Sequence, residues 1–186
     1  MGDRTQRWLW PLLINVSLAQ ASIYVMRPMI TYRALENGAS GYEIGLIAAV
    51  YALVPLLIAV PMGRWVGKIG ERPLLFAGCL SFIFLGIAFA FLNNIIAIAA
   101  ATAIAGIAHL SNVASSQAMV ANRSPMNLQD QNFGYFSFST SLGHSVGPAL
   151  GGVIAGSAGV LPRSSTSAFI FHRVFVATLE LFPMRP

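Results

Sequence analysis

Apolar residues follow one another along this chain in long runs, and charged residues gather in the gaps. No Asp, Glu, Lys or Arg occurs from Trp8 to Met26, Ile44 to Gly63, Pro73 to Asn122 or Gln131 to Pro162. A helix rises about 1.5 Å per residue and needs roughly 20 apolar residues to cross a hydrocarbon core, so the first two runs suit one crossing each. The third run must hold two crossings, and the polar turn formers Asn93 and Asn94 mark the break between them. This pattern predicts an all-α integral membrane protein with five transmembrane helices: Trp8–Ile30, Ile44–Met62, Leu74–Leu92, Ile95–Ala121 and Phe133–Gly156. A sixth candidate, Ser167–Pro183, contains His172, Arg173 and Glu180, and charge at the bilayer centre is costly. A soluble helical bundle would need polar helix faces, and the segment FAGCLSFIFLGIAFAFL has none.

Composition agrees with a membrane environment. Of the 186 residues, 56% are hydrophobic and only 9% charged, too few charges to cover a water-exposed surface. Composition changes near Ser157, which divides the chain into a helical bundle over 1–156 and a weakly apolar tail over 157–186, either a sixth helix or a non-native end. Arg4, Arg7 and the AQA segment at Ala19–Ala21 imitate a cleaved signal, but the apolar run continues to Met26, so an uncleaved first helix is expected. Cys79 is the single cysteine and excludes a disulfide within the chain. No nucleotide-binding glycine loop, metal-ligand cluster or catalytic triad is present, so neither an enzyme nor a cofactor is expected. The net charge of +5 is spread over turns and makes no patch for nucleic acid.

The basic residues also orient the chain. With the N-terminus in the cytoplasm, Arg4, Arg7, Arg64, Lys68, Arg72 and Arg123 fall inside, and only Arg33 and Arg163 fall outside. The charged stretch GRWVGKIGERP, Gly63 to Pro73, then becomes a cytoplasmic turn between the second and third spans, with its glycines reversing the chain.

That stretch, continued through Leu75, resembles the signature loop of the major facilitator superfamily, G-x-L-a-D-r-x-G-r-k-x-x-l. Gly63, Lys68, Gly70, Arg72 and Leu75 match, whereas Trp65 replaces the Leu, Glu71 a basic residue and Gly67 the usual Asp. The family's acid helps latch two halves of a transporter, so Gly67 puts that latch in doubt and leaves Gly63, Arg64, Lys68, Gly70 and Arg72 as the candidate gating loop. GHSVGPALGG is similar to the family's fifth-helix motif G-x-x-x-G-P-x-x-G-G, with Gly143, Gly147, Pro148, Gly151 and Gly152 in register. Ser139, Gly143, Gly147, Gly151 and Ala155 form a stripe of small residues along which backbones can approach, serving either close helix packing or a gating hinge. In the family this motif is typical of antiporters and lies where two six-helix halves meet. The resemblance implies a twelve-helix transporter of which this chain is the N-terminal half, built from inverted three-helix repeats.

Polar residues within the spans are the candidates for substrate binding. Gln20, Tyr24 and Arg27 share one face of the first span, and His109, Asn112 and Ser116 one face of the fourth. The resemblance implies that these faces line a central cavity. Arg27 either binds an anionic substrate or snorkels to the headgroups. His109 either relays protons or hydrogen-bonds within the packing, and His144, on a face with Ser137 and Ser141, is expected to be structural. Many antiporters of the family carry an Arg four residues before the glycine that corresponds to Gly106, where this chain has Thr102. No carboxylate lies within the five spans. A titrating group for proton coupling would be His109, His144, Glu36, Glu43 or an acid in a second half.

Two functions follow as expectations. In one, the chain is the N-terminal half of a facilitator-type secondary transporter of a small molecule, in the plasma membrane or a bacterial inner membrane. Its partners are the lipid bilayer, an unknown small-molecule substrate, and a C-terminal half or a second copy of the chain. In the other, it is a truncated, transport-inactive membrane protein or helix-association module.

Overall fold

The computed structural model describes residues 6–157, and these form five long α-helices, a short 3-10 turn and no strand. The helices are α1 (Leu9–Glu36), α2 (Gly41–Ile69), α3 (Glu71–Phe91), α4 (Ile95–Arg123) and α5 (Gln129–Ser157), and the 3-10 turn is Met126–Leu128. Every expected span in this region is helical, and most run past the apolar core because local chemistry sets their ends. After α1, Gly38 adopts φ +79°, its N–H donates to Leu35 O at 2.9 Å and the N–H of Ala39 donates to Ala34 O at 3.0 Å. This is a Schellman stop, which needs a residue that tolerates a left-handed backbone. Two residues on, Ser40 and Glu43 cap α2 reciprocally: Ser40 N–H donates to Glu43 Oε2 at 2.7 Å and Glu43 N–H to Ser40 Oγ at 3.3 Å. Asn94 opens α4 by accepting from the N–H of Ile96 at 2.8 Å, while its neighbour Asn93 accepts from Arg33 Nη2 at 2.7 Å.

The turn between α2 and α3 differs from the expected one. Gly63, Arg64, Gly67 and Lys68 are helical, and the reversal is made at Gly70 alone, at φ +97° and ψ 158°. A helix continues through Gly63 and Gly67 because an isolated glycine weakens helix without breaking it, whereas the backbone region at Gly70 is nearly closed to other residues. Arg72 stands in the first turn of α3.

α1 packs chiefly on α5, and α4 on both α2 and α3. The interior has two parts. Ile23, Met26, Tyr51, Phe82, Ile98 and Ala105 meet in one, and Leu12, Val16, Leu75, Met119 and Phe136 in the other. Leu53, Leu56, Leu57 and Val60 stand exposed along α2, an apolar surface suited to lipid. Among the described residues, α1 to α4 are long and apolar enough to cross a membrane. α5 has 29 residues but is not among them, because serine, threonine and glycine dilute its apolar character. The expectation of five such spans is therefore corrected to four, plus a less apolar fifth helix. The sixth candidate span and the tail beyond Ser157 lie outside the described residues.

Candidate functional site

The site begins with a missing hydrogen bond. Pro55 lies inside α2 and has no N–H to give the carbonyl of Tyr51, one turn earlier. α4 closes on that carbonyl at Gly106. A Cβ added there would lie 2.5 Å from Tyr51 O and 2.8 Å from Pro55 Cγ, so only glycine admits this approach. Beside the crossing, the Tyr51 hydroxyl is 2.8 Å from His109 Nδ1. The His109 Nε2 is buried without a hydrogen-bond partner among the described residues.

Arg27 reaches this pair from α1. Its guanidinium carbon lies 4.6 Å from the centre of the Tyr51 ring and 5.3 Å from that of Tyr24. Each such contact attracts the cation to the electron-rich ring face. On the far side, the Tyr24 ring is 4.5 Å from the ring of His144 on α5. His144, Tyr24, Arg27, Tyr51 and His109 thus form a continuous aromatic and basic chain across α5, α1, α2 and α4. Among the described residues no carboxylate pairs with Arg27; the ion pair found there joins Arg33 Nη1 to Glu36 Oε2 at 3.3 Å.

A cavity of about 300 Å³ opens beside Arg27 and Tyr51, between α1, α2 and α4. Ile30, Ala34, Ile44, Ile47, Ala48 and Ala52 make its walls largely apolar, with Thr31 and Thr102 adding hydroxyls. Both hydroxyls donate to their own helices, Thr31 to Arg27 O at 3.3 Å and Thr102 to Ile98 O at 2.7 Å. Thr102 lines the same cavity as Arg27.

The six candidate residues do not converge on this space. Arg27 lines it, Tyr24 lies against the Arg27 guanidinium, and His109 reaches the space only through Tyr51. Gln20 is buried, and its Cβ faces Gly143 of α5. Asn112 is buried against α3, with its Nδ2 3.3 Å from Cys79 Sγ. Ser116 is fully buried, and its hydroxyl has no partner among the described residues. The α4 face fans out because α4 is the central helix, touching α1, α2, α3 and α5. Tyr51 escaped the sequence reading: a lone tyrosine in an apolar run carries no signal, although Pro55 one turn later was a local clue.

The glycine motif packs within the bundle. A Cβ at Gly147 would lie 2.8 Å from Ala21 O and 2.8 Å from Tyr24 Cβ, and one at Gly143 would collide with Ser17 O. Ser17 Oγ also donates to Ser139 O at 2.9 Å. At these positions the small-residue stripe packs closely against α1, the first of the two roles expected of it. Pro148 lies inside α5 and is exposed. Gly151 and Gly152 are helical and continue the element.

Comparison with known proteins places this geometry. The family model described as Major Facilitator Superfamily matches residues 12–182, running past Gly156. Multidrug resistance protein 1 of Bacillus subtilis (strain 168) is 25% identical over 170 residues, covering 91% of this chain and 44% of that protein. Quinolone resistance protein NorA of Staphylococcus aureus (strain Mu50 / ATCC 700699) is 25% identical over 147 residues, 79% of this chain and 38% of that protein. The crystal structure of the human organic anion transporter MFSD10 (TETRAN) has the same fold, with a TM-score of 0.74 at 17% identity, covering 97% of this chain and 48% of that one. The chain spans less than half the length of these relatives.

Proposed function

The chain belongs to the Major Facilitator Superfamily, and from this we propose that it acts as the N-terminal half of a secondary transporter that carries a small organic molecule. The observation that carries the reading is the cavity between α1, α2 and α4, with a cation at its edge, in a chain whose family match covers residues 12–182. The names of the relatives, multidrug and quinolone resistance proteins, support a small organic substrate. Tyr24, Arg27 and His109, joined by Tyr51, are the side chains assigned to the substrate path. Gln20, Asn112 and Ser116 support them from within the packing. The basic residues of the α2–α3 corner and the end of α4 favour a cytoplasmic N-terminus in a plasma membrane.

Alternating access needs a site enclosed between two bundles that rock about it, and one bundle supplies one wall. The second wall comes from a C-terminal half or from a second copy of the chain. Purified chain tested against a panel of small organic anions, cationic drugs and neutral analogues should bind at least one saturably. In sealed liposomes it should show no counterflow. Absence of binding across the whole panel would leave only a helix-association module. Saturable counterflow by the chain alone would assign the second wall to a second copy of the chain.

A further inference from the structure

We infer that the cavity takes an amphipathic organic anion, a carboxylate or sulfonate on an apolar or aromatic body, with Arg27 as the group that holds its charge. The inference rests on the transporter reading and adds to it the sign and shape of the substrate.

The argument starts from what the cavity offers a guest. Its charged group is Arg27, which has no ion-pair partner among the described residues and whose side chain is exposed on the open side of the bundle. The two cavity hydroxyls, on Thr31 and Thr102, donate to carbonyls of their own helices. Donor capacity toward a guest is therefore concentrated in the guanidinium, which presents a planar fork matched to two oxygens of a carboxylate or sulfonate. Acid to receive a cation is missing among the described residues: no Asp or Glu of theirs lines the cavity.

Position reinforces the sign. The rings of Tyr51 and Tyr24 hold the guanidinium at 4.6 and 5.3 Å from their centres. Tyr51 is itself fixed by its 2.8 Å contact with His109, so the ring under the cation does not need to be ordered when a guest arrives. Beyond the guanidinium the wall is aliphatic: Ile30, Ile44, Ile47 and Ala48. A volume of about 300 Å³ accepts a one- or two-ring body. A fully hydrophilic anion would leave that wall unsatisfied, and an organic cation would be driven from Arg27 by like charge.

The test uses purified full chain in nanodiscs and three isosteric probes: 2-naphthoate, 2-naphthamide and 2-naphthylmethylammonium. Naphthoate should bind saturably and roughly tenfold or more tighter than the amide, as a charge-assisted hydrogen bond requires, and the ammonium should bind weakest. Arg27→Gln should erase the preference for naphthoate over the amide, and Arg27→Lys should retain part of it. Ala48→Phe, which fills the cavity and leaves Arg27 in place, should weaken all three probes together, and it carries the test if the Arg27 variants do not fold. Equal or tighter binding of the ammonium, or an anion preference that survives Arg27→Gln, overturns the inference and leaves the transporter reading intact. Failure of all three probes to bind overturns the inference, and the transporter reading then falls only if the wider panel also fails to bind.

Discussion

Gly70 and Gly67 stand three positions apart in one charged stretch, and the backbone treats them as opposites. Gly70 holds φ +97° with ψ 158°, a region almost reserved for glycine, whereas Gly67 is an ordinary helical residue with open space where a Cβ would go. Gly70→Ala should therefore destabilise the protein by roughly 1–3 kcal/mol through backbone strain. Gly67→Ala should stabilise it by about 0.5–1 kcal/mol, since alanine loses less backbone freedom in a helix. Melting temperatures of the two variants in detergent should move in opposite directions, and a shift in the same direction would refute the one-residue turn. The result also bears on the loop motif, because Gly67 stands where the resemblance places the family's Asp, on an exposed helical turn.

Among the described residues three helix crossings are built on the same device; Gly78 of α3 lies against the α4 backbone in one, and the other two form a pair. α5 meets α1 through Gly143 and Gly147, and α4 meets α2 through Gly106, each glycine lying against the backbone of its neighbour. If α1 to α3 form one repeat and α4 opens the next, α1 corresponds to α4 and α2 to α5, so these two crossings are equivalents of each other. Lipid offers little drive for helix association, and close backbone contact takes its place. Gly147→Leu should push α5 from α1 and destabilise the bundle by roughly 1–3 kcal/mol, as overpacking of an interior does. Gly134→Leu, on the same helix but with nothing within 4 Å of its would-be Cβ, should be close to neutral. Equal thermal stability of the two variants would show that the stripe does not carry the α1–α5 contact. Tyr24 connects this interface to the candidate site, because its Cβ lies under Gly147 while its ring touches both His144 and Arg27.

Charge and hydrogen bonding collect at the two ends of the bundle. At one end Arg33 ties α1 to the α3–α4 connection, donating to Leu92 O at 3.1 Å and Asn93 Oδ1 at 2.7 Å. At the other, Asn122 Nδ2 donates to Glu71 Oε1 at 2.6 Å, joining the end of α4 to the start of α3. The bundle thus has an apolar band between two polar rims, and the bias of basic residues toward the second rim predicts that this rim is cytoplasmic. Single cysteines placed in a Cys79→Ser background test this. Asn37→Cys should react with an impermeant maleimide on intact cells, and Lys68→Cys only after permeabilisation. The reverse pattern would invert the topology.

Uncharged runs longer than a bilayer crossing left helices as the one economical way to satisfy the backbone in lipid, which is why α1 to α4 were legible from residue order. Gly38, the Ser40–Glu43 pair, Asn94 and Gly70 are local signals too, and each stops or starts a helix through its own backbone or side chain. Gly143 and Gly147 announced close packing, but not against what. That answer, and the pairing of Tyr51 with His109, depends on which helices lie beside one another, and contacts such as Tyr51 to His109, 58 positions apart, leave no periodic trace along the chain. Likewise the i, i+3 and i+7 spacing of His109, Asn112 and Ser116 defined one face of α4 without knowing that α4 is surrounded. Enclosure sent Asn112 toward Cys79 and buried Ser116, so only His109 was left to meet Tyr51 beside Arg27.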